Sequence, residues 1–192
     1  MSYTVIQPPF SLDFRTMSRP ELLAYFNWFL KELPQRVIEL EKAVRATNGY
    51  ATGSSDMHPN SLNLLGEWFE RQVEVRLRTD DEREKIAASS SLPIEIPKEE
   101  LTNRTFSLAY DIGIYLGETF RKNYEFLNWE QPLSDKKFAD YGQPVLMGFG
   151  AVPLNPIRIS INLAYGMVSG TQSGKRLREV YEYWAVRAVA KK

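Results

Sequence analysis

Two glycines one helical turn apart, Gly113 and Gly117, lie in the middle of the most strongly patterned segment of the chain. From Thr102 to Asn123, the residues Phe106, Ala109, Tyr110, Gly113, Leu116, Gly117 and Phe120 share one broad face, the period expected of a buried helix. Each glycine costs about 1 kcal/mol of helix propensity relative to alanine. Two such losses on one face predict a second element crossing so close that side chains would not fit. The rest of the chain has to wrap this helix. Its 192 residues, 43% of them hydrophobic, are enough to do so as a single domain, 1–192.

Helical signals dominate the first half, 18–90. Ser18-Arg19-Pro20-Glu21 is a capping box, followed by Leu22, Phe26, Phe29 and Leu33 at helical spacing. Pro34 predicts a break there and the first turn of a second helix, with Val37, Leu40 and Val44 inward. A third helix carries Leu62, Leu65, Trp68, Phe69 and Val73 to about Arg78. Thr79-Asp80-Asp81-Glu82 caps a short charged one. The serine- and proline-rich stretch 89–98 reads as a linker, in which Leu92, Ile94 and Ile96 alternate as a weak edge strand would.

Beyond the linker, Tyr124 to Gln131 and Pro144 to Phe149 read as extended. Residues 156–169 fit two patterns: Ile157, Ile159 and Ile161 alternate as in a strand, whereas Asn155-Pro156 is an N-cap followed by a first-turn proline. The cap favours helix, with strand as the alternative. A last helix from near Ser173 buries Leu177, Val180, Tyr181 and Trp184. The expected fold is a helix-rich α+β domain with a small antiparallel sheet in its C-terminal half.

Composition removes several kinds of chemistry. The chain has no cysteine and one histidine, so disulfides, thiolate nucleophiles, cysteine-based metal sites and paired imidazoles are excluded. Its formal net charge is zero, which argues against nucleic acid or a membrane surface as partner. The basic residues of the last helix, among them Lys175, Arg176 and Arg178, are interleaved with Glu179 and Glu182. The start, Met1 to Pro9, lacks the basic and apolar regions of a signal peptide, and cytoplasmic localisation is expected.

Two glycine-bearing loops fall short of nucleotide-binding patterns. In Ser169 to Arg176, Ser169 replaces the first glycine of a phosphate loop and Arg176 its magnesium-binding hydroxyl. Gly148-Phe149-Gly150 lacks the third glycine of a dinucleotide fingerprint, where Pro153 stands. His58 lies in a loop without a nucleophile elbow. No cofactor, metal or catalytic residue is expected.

Asp111 and Glu118 share a side of the central helix with Tyr115 between them. About 10 Å of helical rise separates the two acids, too far for direct chelation of one ion. They would hold arginines such as Arg158 or Arg104, or line a polar groove. The aromatic content of ten phenylalanines, ten tyrosines and four tryptophans is high. Tyr25-Phe26-Asn27-Trp28-Phe29 cannot all face one core, and Tyr183 lies off the face of Tyr181. Amphipathic aromatics of this kind serve as interface anchors or cover neighbouring helices.

The string Leu108 to Glu118, then Trp129, Gly142-Gln143-Pro144-Val145 and Asn155-Pro156-Ile157-Arg158, resembles a bacterial family of small cytoplasmic proteins of unknown function. The likeness extends to Tyr25-Phe26-Asn27-Trp28-Phe29. The helix ending in Leu-Gly-Glu, followed by a tryptophan strand, is also similar to small immunity-like bacterial domains. The resemblance implies fold and carries no catalytic residues. The expected function is a non-enzymatic protein-interaction module, immunity-like or regulatory, that binds another protein. Homo-oligomerisation is left open. Its candidate binding set is Asp111, Tyr115, Glu118, Trp129 and Arg158. The alternative is a small-ligand enzyme or hydrolase using Asp111 and Glu118 with Arg158.

Overall fold

The computed structural model describes residues 3–51, 56–89 and 95–189. The capping box forms as expected: Ser18 accepts from the Glu21 backbone N–H, and Glu21 reaches back to the Ser18 N–H at 2.8 Å. It opens α1, Arg19–Arg45, which continues through Pro34 as one 27-residue helix. The expected break does not occur because Pro34 and Leu30 lie on the exposed side. The Leu30 carbonyl, which loses its i+4 donor to the proline, is there open to water. Pro34→Ala is therefore expected to stabilise the protein by about 1–2 kcal/mol. This is less than the full ~3 kcal/mol propensity difference, because alanine also frees the unfolded chain. A thermal melt at or below that of the parent protein would contradict this reading of the proline.

The second helix, α2 (Ser61–Glu70), stops earlier than expected, and Val75–Leu77 forms a strand, β1. Val73-Glu74-Val75-Arg76-Leu77 alternates with period two, and that pattern prevails over the helical one. After the charged α3 (Asp80–Ser89), which buries no residue, the chain returns as β2 (Glu99–Leu101), antiparallel to β1 with Arg76 opposite Glu100. The first half is thus not wholly helical: β1 lies before the segment read as a linker, and β2 begins directly after it. Leu92 and Ile94 lie outside the described residues, and Ile96 is not in a strand.

Thr102 caps α4 (Asn103–Asn123) through the Thr105 N–H. This helix is the spine. Leu108, Ile112, Ile114, Leu116 and Phe120 are all fully buried, as a helix apolar on nearly every side must be. The close crossing predicted from its glycines is present. A Cβ on Gly113 would lie 2.5 Å from the Cα of Ile157, and one on Gly117 would meet the Trp129 ring. Ile157 belongs to α5 (Pro156–Val168). Residues 156–168 are helical, begun by Asn155, whose side-chain oxygen accepts from the Arg158 N–H at 2.9 Å.

Between α4 and α5, β3 (Asn128–Glu130) pairs antiparallel with β4 (Val145–Met147), placing Trp129 opposite Leu146. The chain ends in α6 (Lys175–Val189), whose Leu177 and Tyr181 enter the core. Among the described residues, the fold is helix-rich α+β with two small two-stranded antiparallel sheets.

Candidate functional site

Asp111 is completely buried on α4. Its two oxygens accept from Nε and Nη2 of Arg36 on α1 at 2.8 and 2.7 Å, the bidentate geometry that suits a guanidinium to a carboxylate. The Tyr3 hydroxyl donates to the same carboxylate at 2.5 Å. Arg36 also donates to the Thr4 carbonyl, and Ser107 accepts from the Ile6 N–H. One charge pair thus fastens α1 to α4 and holds the first described residues across both. Burial is the strongest influence on the carboxyl and pushes it from 3.8 up to about 6, against the pull of Arg36 and Tyr3. At Arg36 the balance is reversed: burial opposes the charge, but the bonds to Asp111 outweigh it and raise its pKa. The Tyr3 hydroxyl is raised by burial and then by the neighbouring carboxylate. The partner of Asp111 is therefore Arg36, not Arg158 or Arg104.

The other members of the candidate set lie in separate networks. Glu118 accepts from the Trp129 indole N–H at 2.7 Å and pairs with Arg121 at 2.9 Å, so it fixes the indole that fills the space beside Gly117. Tyr115 is buried; its hydroxyl takes the Met57 N–H and bonds Ser61, joining α4 to the start of α2. Arg158 pairs with buried Asp140 at 2.7 Å, and Asp140 also accepts from Asn155, the cap of α5. Arg104 bonds Gln72. The structure brings Glu118 and Trp129 together. It does not bring Asp111, Glu118 and Arg158 into one site, as the enzymatic alternative requires.

The glycine loops serve packing and turns. Gly174, in the segment resembling a phosphate loop, lies directly against the backbone of Gly66 on α2, and its N–H is taken by Glu70 at 2.7 Å. Gly148 and Gly150 adopt φ of 122° and 125°, a conformation that glycine reaches without strain. His58 is exposed just before α2, where its Nδ1 accepts from the Asn60 N–H at 3.3 Å.

Exposed aromatic chemistry gathers instead on the outer face of α5 and α6. A groove of about 270 Å³ runs between these helices, with Ile159, Asn162, Val180, Tyr183 and Trp184 along it. Gln172 also lines a wider cleft of about 960 Å³ between α5 and the β1–β2 pair, where Leu77, Arg78, Tyr165 and Val168 stand. On α6, Tyr183 is 58% and Val186 70% exposed. The Arg187 guanidinium lies 3.8 Å over the Tyr183 ring and 5.7 Å from that of Trp184. Trp184 is anchored edge-on to Phe149. The remaining basic character of α6 is tempered by pairs of Arg176 with Glu179 and Arg178 with Glu182. None of the five candidate binding residues lines either cleft. Tyr183 stood out in the sequence as off the buried face. Arg187, four residues on, could have been read as its i,i+4 neighbour. Tyr165 and Leu77 carry no such signal, because only tertiary packing sets them side by side.

Among the described residues, no group of three or more His, Asp or Glu could hold a metal ion, and no helix is long and apolar enough to cross a membrane. No protein-family model matches the chain, and no curated protein or solved structure is significantly similar to it.

Proposed function

We propose that this chain is a non-enzymatic bacterial cytoplasmic module, immunity-like or regulatory, that binds another protein through the outer face of α5 and α6. One observation carries the reading: an exposed tyrosine and a half-buried tryptophan border a groove, and the Arg187 guanidinium lies over both rings. Tyr, Trp and Arg are the residues most enriched among binding hot spots, where a rigid aromatic inserts and its neighbours exclude water. Trp184 is fixed from below by Phe149, and Arg187 spans both rings, so little side-chain freedom remains to be lost on binding. The acids and the arginine that suggest catalysis are each engaged with internal partners, which leaves this face as the chemistry most open to a protein surface.

The test places a photo-crosslinking amino acid at Val186, in cells that make the protein naturally. A second position, Glu84 on the exposed charged helix α3, serves as control. The expected result is one discrete adduct with a different protein from position 186, lost when Tyr183→Ala is added. Adducts of equal yield from both positions, or none from 186, would overturn the proposal.

A further inference from the structure

We infer that α1 forms a second contact surface, occupied by another copy of this chain: the α1 helices of two copies pack antiparallel about a two-fold axis beside Leu30. The outer face of a surface helix ordinarily carries charge. Between Leu23 and Ile38, a length of about 22 Å at 1.5 Å per residue, the exposed residues of α1 include a single charge, Lys31. Leu23, Leu30 and Ile38 are instead 47%, 42% and 43% exposed, in line along the helix with Asn27 and Pro34.

The order of these residues is self-complementary, as an isologous contact requires. Turned end for end about a point between Leu30 and Lys31, Leu23 faces Ile38 of the other copy, and Asn27 faces Pro34. Proline has no N–H to give the Leu30 carbonyl, and the Asn27 amide of the opposing helix arrives as a donor beside it. The charges at the two ends obey the same symmetry. Arg19 and Glu41 make no ion pair among the described residues, unlike Lys42, which pairs with Glu39 at 3.0 Å. They lie on either side of Leu30, within half a residue of the same centre, so antiparallel pairing sets Arg19 of each copy near Glu41 of the other. An unrelated partner would have no reason to match this internal symmetry. The inference is independent of the proposed function, since the α5–α6 face stays open in both copies.

Sedimentation velocity of the full chain, from micromolar to submillimolar concentration, tests the seam. Wild-type protein is expected to reach the mass of a dimer, and Leu30→Glu to remain a monomer whose melt matches the wild type at concentrations where both are monomeric. Arg19→Glu alone sets two glutamates against each other at each end, and Glu41→Arg alone sets two arginines. Each is expected to weaken dimerisation about three- to tenfold, the range for two exposed ion pairs. An equimolar mixture of these two variants restores opposite charges at both ends and should dimerise more tightly than either alone. Three results would overturn the inference: a monomer throughout the series, a dimer indifferent to Leu30→Glu, or a mixture no tighter than its components.

Discussion

Replacing Arg36 by methionine is expected to lower the melting temperature by roughly 6–20 °C, from about 3–5 kcal/mol for breaking a buried ion pair and about 2–4 °C per kcal/mol at this chain length. Methionine keeps much of the apolar stem but removes every bond to Asp111, Tyr3 and the Thr4 carbonyl. Asp111 then sits fully buried with its charge uncompensated. The loss should also carry a pH signature. A carboxyl whose pKa is higher in the folded than in the unfolded chain contributes stability that is complete below its unfolded value and lost as pH rises through its folded value. For Asp111 in the wild type, that window runs from 3.8 to about 6. Arg36 pulls the carboxyl down, so its removal extends the window upward, and the deficit of Arg36→Met should be smaller at about pH 5 than at about pH 7.5. Adding Asp111→Asn, which removes the stranded charge, should recover part of the loss at the higher pH. A deficit under about 1 kcal/mol, or one equal at both pH values, would contradict this account of the pair.

Gly113→Ala is expected to cost about 3 kcal/mol or more, at the upper end of what an extra buried carbon imposes on a packed core. In an exposed helix the same change would gain about 1 kcal/mol, so its sign is set by packing. The new Cβ would meet backbone: the Cα and N of Ile157 at 2.5 and 2.8 Å, and the Pro156 carbonyl oxygen at 2.9 Å. These atoms belong to the first turn of α5, fixed by the Asn155 cap and by proline, and cannot rotate aside as a side chain can. Gly117→Ala should be milder, because its obstacle is a side chain, the Trp129 ring, which can give way by loosening its bond to Glu118 where backbone cannot. Denaturant melts of the two variants check the order. A Gly113→Ala protein as stable as the wild type would show that α4 and α5 are not in close contact.

Local features of this fold were legible wherever the physics is local. The Ser18–Glu21 box, the Thr79–Glu82 box and the Asn155-Pro156 start of α5 are written in three or four consecutive residues, and all three form. Gly113 and Gly117 announced a close crossing because their propensity cost needs a tertiary reason, although neither names the element that crosses. Pro34 misled because its effect depends on whether the freed carbonyl meets solvent or core. The strand at Val75–Leu77 was missed because the short alternation from Val73 to Leu77 carries little weight beside the longer helical stripe from Leu62 to Val73. The largest gap is Arg36. It lies 75 residues from Asp111 and is one of many arginines in the sequence, and burial alone distinguishes it. The same holds for the α5–α6 face, where the exposed Tyr183 was visible but its groove was not.

Residues that hold the fold are distinct from residues that meet a partner, and one paired comparison tests that division most directly. Trp129→Phe and Tyr183→Ala are each placed in the protein carrying the photo-crosslinker at Val186, and both melting temperature and adduct yield are recorded. Trp129→Phe, which loses the bond to Glu118 and leaves space beside Gly117, is expected to melt several degrees lower, by about 2 kcal/mol for a lost hydrogen bond and smaller ring, yet to keep its adduct below the melt. Tyr183→Ala is expected to melt within about 0.5 kcal/mol of the parent, as surface changes do, and to lose the adduct. The reverse pattern, with Tyr183→Ala keeping the adduct and Trp129→Phe abolishing it while folded, would return the binding site to the Glu118–Trp129 cluster and contradict the account.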